Sequence, residues 1–129
     1  MSVAVLDASA LLALLLDEPG AHEVRNVLDD AAICAVNLAE VISYFAKLGA
    51  AQDAIRATLE PLPLVVMQAD AAMSYAAGMM RPATMSAGLS LGDRYCLACA
   101  ASLGAVALTA DRSWALVADK VGVTIRLLR

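Results

Sequence analysis

Short runs that are apolar along their whole length constrain this chain most. Val3 to Leu6 (VAVL), Ala31 to Val36 (AAICAV), Leu64 to Met67 (LVVM) and Ala105 to Leu108 (AVAL) recur down the sequence, and Val123 to Leu127 (VTIRL) makes a last strand. A strand with one wet face alternates apolar and polar residues, whereas a strand covered on both faces is apolar throughout. Between these runs lie segments too rich in Ala and Leu, or too regular at helical spacing, to be strands. They are Ala8 to Leu16, broken at Asp17-Glu18-Pro19-Gly20, then Ala21 to Leu28, Asn37 to Lys47, Asp53 to Leu59, Asp70 to Met80, Leu91 to Leu103 and Arg112 to Lys120. Only Arg81 to Ser90, carrying Pro82 and Gly88, lacks periodicity and reads as a mobile loop. Strands alternating with helices predict an α/β fold, with a central parallel sheet of about five strands flanked by helices on both faces. At 129 residues the expectation is one domain over 1–129.

Composition removes several functions. The mean hydropathy is +0.72. Even so, the longest uncharged stretch, Tyr95 to Ala110, contains Ser102, Gly104 and Thr109 and falls short of the roughly 18–20 apolar residues of a membrane span. Asp7 is the first charged side chain, so no basic leader is visible and a cytoplasmic protein is expected. Three cysteines (Cys34, Cys96, Cys99) make no disulfide framework, and Cys96-x-x-Cys99, on a helical stretch without a second such pair, reads as two buried thiols. His22 is the only histidine, which excludes Ser-His-Asp chemistry and His-rich metal sites. Acid–base chemistry is left to carboxylates, hydroxyls and water. The net charge of −4 argues against nucleic-acid binding, unless several acids surround metal ions; setting four aside leaves nine acids against nine bases.

In a parallel sheet the strand C-termini and helix N-termini share one rim, where open α/β sheets bind ligands. Asp7 ends the first strand, Glu40 lies in the first turn after the second, Asp93 in the first turn of the helix before the fourth, and Asp111 just past the fourth. Caps are the plain alternative: Asn37-x-x-Glu40 and Ser90-x-x-Asp93 have capping-box spacing and Asp111 suits an N-cap, while Asp7 has no equally good structural reason. Clustered carboxylates need a cation, and oxygen-only donors select Mg²⁺ or Mn²⁺.

Leu6-Asp7-Ala8-Ser9-Ala10-Leu11, Asp17-Glu18-Pro19-Gly20, Asn37-Leu38-Ala39-Glu40-Val41, Leu89-Ser90-Leu91-Gly92-Asp93 and Leu108-Thr109-Ala110-Asp111-Arg112-Ser113-Trp114 resemble PIN domains, and more narrowly the VapC-type toxins of bacterial toxin–antitoxin pairs. The resemblance covers essentially the whole chain in the family's order. It implies a Rossmann-like sheet and an Mg²⁺- or Mn²⁺-dependent endoribonuclease. Asp7, Glu40, Asp93 and Asp111 match the family's acidic positions, and Ser9 and Thr109 its neighbouring hydroxyls. The implied roles are metal ligation by Asp7, Asp93 and Asp111 and orientation of a water by Glu40. Some relatives carry a further acid where this chain has Cys96, Leu97 and Cys99. Arg94 and Arg112 follow two of the acids and read as exposed helix residues able to meet phosphates.

The resemblance also implies an RNA substrate, a homodimer and an antitoxin whose C-terminal segment lies across the active-site groove; no membrane is expected. Met73, Met79, Met80 and Met85 read first as core or dimer contacts and second as an adaptable surface, and Trp114 as core. Two rival readings are a catalytically inactive PIN-fold binding module and a phospho-accepting receiver domain. The receiver wants an acidic pair at the first strand, an aspartate ending the third and a lysine after the last, where this chain has Asp7-Ala8, Gln68 and Arg126. A dehalogenase-like phosphatase wants Asp-x-Asp, where Asp7-Ala8-Ser9 stands.

Overall fold

The computed structural model describes residues 2–129. Strands β1 (Ala4–Leu6), β2 (Ala31–Cys34), β3 (Val65–Met67), β4 (Val106–Thr109) and β5 (Ile125–Leu127) form one sheet in the order β3-β2-β1-β4-β5, with every pair parallel. Helices α1 (Ala8–Leu15), α2 (Ala21–Val27), α3 (Ala35–Lys47), α4 (Gln52–Leu59), α5 (Ala71–Met79), α6 (Arg81–Thr84), α7 (Leu91–Leu103) and α8 (Ala118–Val121) connect them. The α/β class and the all-parallel sheet, covered on both faces at its central strands β1, β2 and β4, are as the apolar runs predict.

Register explains how the sheet is covered. Val5 pairs with Ala32 and Ala107, and Leu6 with Ile33 and Leu108. Successive strand residues face opposite sides, so the small set packs with Met73, Ala77, Cys96, Leu97 and Trp114 on one side. The large set packs with Ala10, Leu11, Ala13, Val24 and Val41 on the other. Small strand residues let α7 approach closely, and its Cys96, Leu97, Cys99 and Ala100 are all completely buried. The three thiols are free and buried. Burial pushes Cys96 well above the usual thiol range and Cys99 up to about 11, which makes them packing groups and not nucleophiles.

Several sequence expectations are corrected. The segment read as a mobile loop is α6 followed by a 3₁₀ turn over Met85–Ala87, closed by Gly88 at φ +76°. Pro82 lies in the first turn of α6, where a missing N–H leaves no helical bond unmade. The predicted helix from Arg112 to Lys120 is a 3₁₀ turn (Arg112–Leu116) and then α8. Trp114 is fully buried, as expected. At the sheet edge β3 leaves Val65 and Val66 about half exposed, so its apolar run is not covered on both faces. Met73 is core, while Met79 and Met85 are exposed. Among the described residues no helix is long and apolar enough to cross a membrane.

Candidate active site

Strand order reverses at β1: the chain moves from β1 outward through β2 to β3, then crosses to β4 on the other side. The crevice at the C-terminal ends of β1 and β4 is therefore the topological switch point, where open α/β sheets bind ligands. Asp7 follows β1 directly, and its N–H donates to the Leu108 carbonyl of β4 at 3.1 Å. Its side chain is only 5% exposed. Oδ1 accepts from the Ala10 N–H (2.8 Å) and the Ser9 hydroxyl (2.7 Å), and Oδ2 from the Thr109 hydroxyl (2.5 Å). Asp7 is thus the N-cap of α1, a structural role that its place after an apolar strand does not reveal in the sequence.

Burial carries the Asp7 carboxyl from 3.8 up to about 6; the bonds from Thr109, Ser9 and Ala10 pull the other way, and the nearby Asp93 charge adds to the rise. Thr109 is fully buried and also accepts from the Asp111 N–H at 3.0 Å, while Ser9 Oγ accepts from the Ala110 N–H at 2.9 Å. These two hydroxyls join the starts of both connections leaving β1 and β4.

Asp93 forms a capping box with Ser90: Oδ2 accepts from the Ser90 N–H at 2.9 Å, and the Asp93 N–H donates to Ser90 Oγ at 3.2 Å. Its carboxyl is raised, first by burial and further by Asp111, against the bonds from Ser90 and the charge of Arg94. Asp111 caps its turn through Oδ1, which accepts from the Ser113 N–H and hydroxyl. Both caps use one oxygen, and neither Asp93 Oδ1 nor Asp111 Oδ2 accepts a bond from a described residue.

Glu40 departs from expectation. Helix α3 starts at Ala35 with Cys34 at its N-cap, so Glu40 is in the second turn and Asn37-x-x-Glu40 is no capping box. Instead Asn37 is completely buried inside the helix, and its Nδ2 donates to Glu40 Oε1 (2.8 Å) and to the Gly92 carbonyl (2.9 Å). Nothing in the spacing separates these two uses of an Asn three residues before a Glu. Arg94 is another correction: it is 6% exposed, with its guanidinium donating to the Ala77 carbonyl at 3.0 Å, so it cannot present itself to solvent. Arg112 is exposed.

Asp93 therefore lies within electrostatic reach of both Asp7 and Asp111, and Glu40 is laid against the residue preceding Asp93. The ion pairs among the described residues are Arg56–Glu60 and Arg129–Glu18, neither of which involves these four acids. No three His, Cys, Asp or Glu side chains among the described residues converge into a ready-made metal cage. Mg²⁺ does not require one, since it is commonly bound by one or two carboxylates and keeps several waters. An all-oxygen donor set built on a buried, uncompensated carboxylate fits such an ion.

Comparison with curated proteins gives no match. Among crystal structures, DNA-bound VapBC from Salmonella typhimurium contains a similar chain at 20% identity, covering 100% of both chains with a TM-score of 0.76. FitAcB from Neisseria gonorrhoeae is similar at 18% identity over 98% of each chain (TM-score 0.75), and VapBC-1 from nontypeable Haemophilus influenzae at 19% over 98% of each (TM-score 0.70). Likeness at this identity is likeness of fold. The PIN domain family, however, matches residues 4–120 directly. With that match running from the first strand through the last helix, the chain belongs to the PIN domain family.

Proposed function

We propose that this chain is a divalent-metal-dependent endoribonuclease and the toxin of a toxin–antitoxin pair. The observation that carries the reading is Asp7: a buried carboxylate at the switch point, held by neutral donors, next to another acid and without a cationic side chain to offset it. A structural aspartate gains from a partner charge. One raised by burial has been left wanting a cation.

Asp7, Asp93 and Asp111 would hold Mg²⁺ or Mn²⁺, which when bound offsets phosphodiester charge and makes water easier to deprotonate. Ser9 and Thr109 fix the Asp7 carboxylate in one orientation. Glu40, facing the start of α7, accepts a proton from the attacking water. The water oxygen bonds to phosphorus, the bond to the leaving ribose oxygen breaks, and that oxygen takes up a proton from solvent to leave as a hydroxyl. An apolar groove lined by Leu11, Leu38, Ile42, Ile55 and Leu59 supports a protein partner such as the antitoxin. The exposed Tyr75 and Met79 support contact with a second copy.

Incubating the chain with structured RNAs, with Mn²⁺ or with EDTA, tests the reading. Cleavage is expected only with metal, and Asp7→Asn should abolish it while leaving a folded protein. Cleavage that persists in EDTA refutes it. The capping bonds of Asp7, Asp93 and Asp111 favour a second reading, a PIN-fold binding module without turnover; RNA bound but never cut in Mn²⁺ would establish that one.

A further inference from the structure

We propose that Asn37 and Gly92 together form a clamp that positions the Glu40 carboxylate at the start of α7. Two independent features of the structure carry this. The first is hydrogen bonding: the buried Asn37 amide spends its two N–H donors on Glu40 Oε1 and on the Gly92 carbonyl. The second is space. A Cβ on Gly92 would lie 2.5 Å from Glu40 Oε2 and 2.8 Å from its Cδ and Oε1, closer than atoms tolerate. The carboxylate occupies the volume where any other residue would carry its side chain.

Position 37 suits only a narrow range of side chains. Two donors on one atom, at the reach of a short side chain, are offered by Asn; Ser has one, Asp has none and Gln is longer. Asn is a poor helix former, and here its Oδ1 is buried without a partner among the described residues. Both local penalties bring a return at one place, the junction of Glu40 with Gly92. Gly92 has no such need of its own, since it sits in an ordinary helical turn where Ala would be the better helix former.

The clamp deepens the nuclease reading and rests on it for the role of Glu40, although the geometry does not depend on it. Asn37 is a positioning residue, acting on chemistry only through Glu40. A carboxylate released from two contacts samples other rotamers, and misplacement by about 1 Å is enough to cost on the order of a hundredfold in rate.

Two arms test it. In the first, without metal or RNA, the side-chain amide of Asn37 is followed by ¹H–¹⁵N NMR in the wild type, Glu40→Ala and Gly92→Ala. Both variants should shift its resonances and speed their exchange with water; resonances unmoved by Glu40→Ala overturn the clamp. In the second, Asn37→Ala and Gly92→Ala are assayed for Mn²⁺-dependent RNA cleavage. Each should lower kcat by about tenfold to a hundredfold with KM little changed, and Gly92→Ala should not lower Tm. Turnover within twofold of wild type in Gly92→Ala overturns the clamp, and that variant decides if Asn37→Ala fails to fold. A wild type that does not cleave RNA defeats the nuclease reading alone, and the NMR arm then decides the clamp.

Discussion

Asp7→Asn should stabilise the metal-free protein near neutral pH while abolishing the RNA cleavage proposed for it. In the folded chain the Asp7 carboxyl is carried by burial from 3.8 to about 6. The folded state therefore binds the proton more tightly than the unfolded one, and stability falls as pH rises through that window. At about 1.4 kcal/mol per tenfold in proton affinity, the ionised carboxylate costs the fold about 3 kcal/mol above pH 6. Asparagine carries no charge and removes that cost. Against this, the amide nitrogen would face the Thr109 hydroxyl, which now donates to Oδ2 and would have to turn; one rearranged hydrogen bond is worth about 1 kcal/mol. The net expectation is a gain of about 1–2 kcal/mol near pH 7, shrinking to nothing or reversing as pH approaches 4. Urea unfolding of both proteins in EDTA at several pH values measures it. A variant less stable than wild type near pH 7, by an amount that does not change with pH, would refute the view of Asp7 as an uncompensated buried charge.

Three further outcomes follow from the same contacts. Mn²⁺ should raise the Tm of the wild type by binding its native state, and Asp93→Asn should blunt that rise; an unaltered response removes Asp93 from the ligand set. Thr109→Val keeps shape but strips the donor to Asp7 and the acceptor for the Asp111 N–H, so denaturant unfolding should show a loss of roughly 1–3 kcal/mol. The Asp7 titration in this variant should also move upward, and a stability equal to wild type would contradict the shared role of that hydroxyl. Gly20→Ala introduces a Cβ 2.6 Å from Leu128 Cβ at a φ of +99°, so a lowered Tm is expected, with a stability loss above the roughly 1 kcal/mol that strain alone costs.

The fold was legible because its signals are local and repeated. Each apolar run predicted a strand, and Ser90 and Gly104 bracket α7 as the sequence indicates, since capping is a matter of neighbouring atoms. Local signals misled where two physical causes share one spacing. Asn37-x-x-Glu40 reads as a capping box and is a side-chain hydrogen bond within the first two turns of α3, and Arg81 to Ser90 carries loop punctuation yet turns helically because Pro82 falls in a first turn. Arg94 reads as surface because arginine usually is, whereas the carbonyl end of α5 offered it a buried acceptor.

The sequence alone nominated the candidates for chemistry: four acids and two hydroxyls near strand ends, with one histidine and no basic cluster to compete. Those are properties of residue type and of position within an element, and a chain carries both in one dimension. Tertiary structure decided what surrounds each acid. Burial, not a neighbouring charge, sets Asp7 apart. A glycine 52 positions away leaves the space that Glu40 fills. Desolvation and excluded volume depend on atoms that approach only after the helices cross the sheet, and no spacing along the chain encodes them.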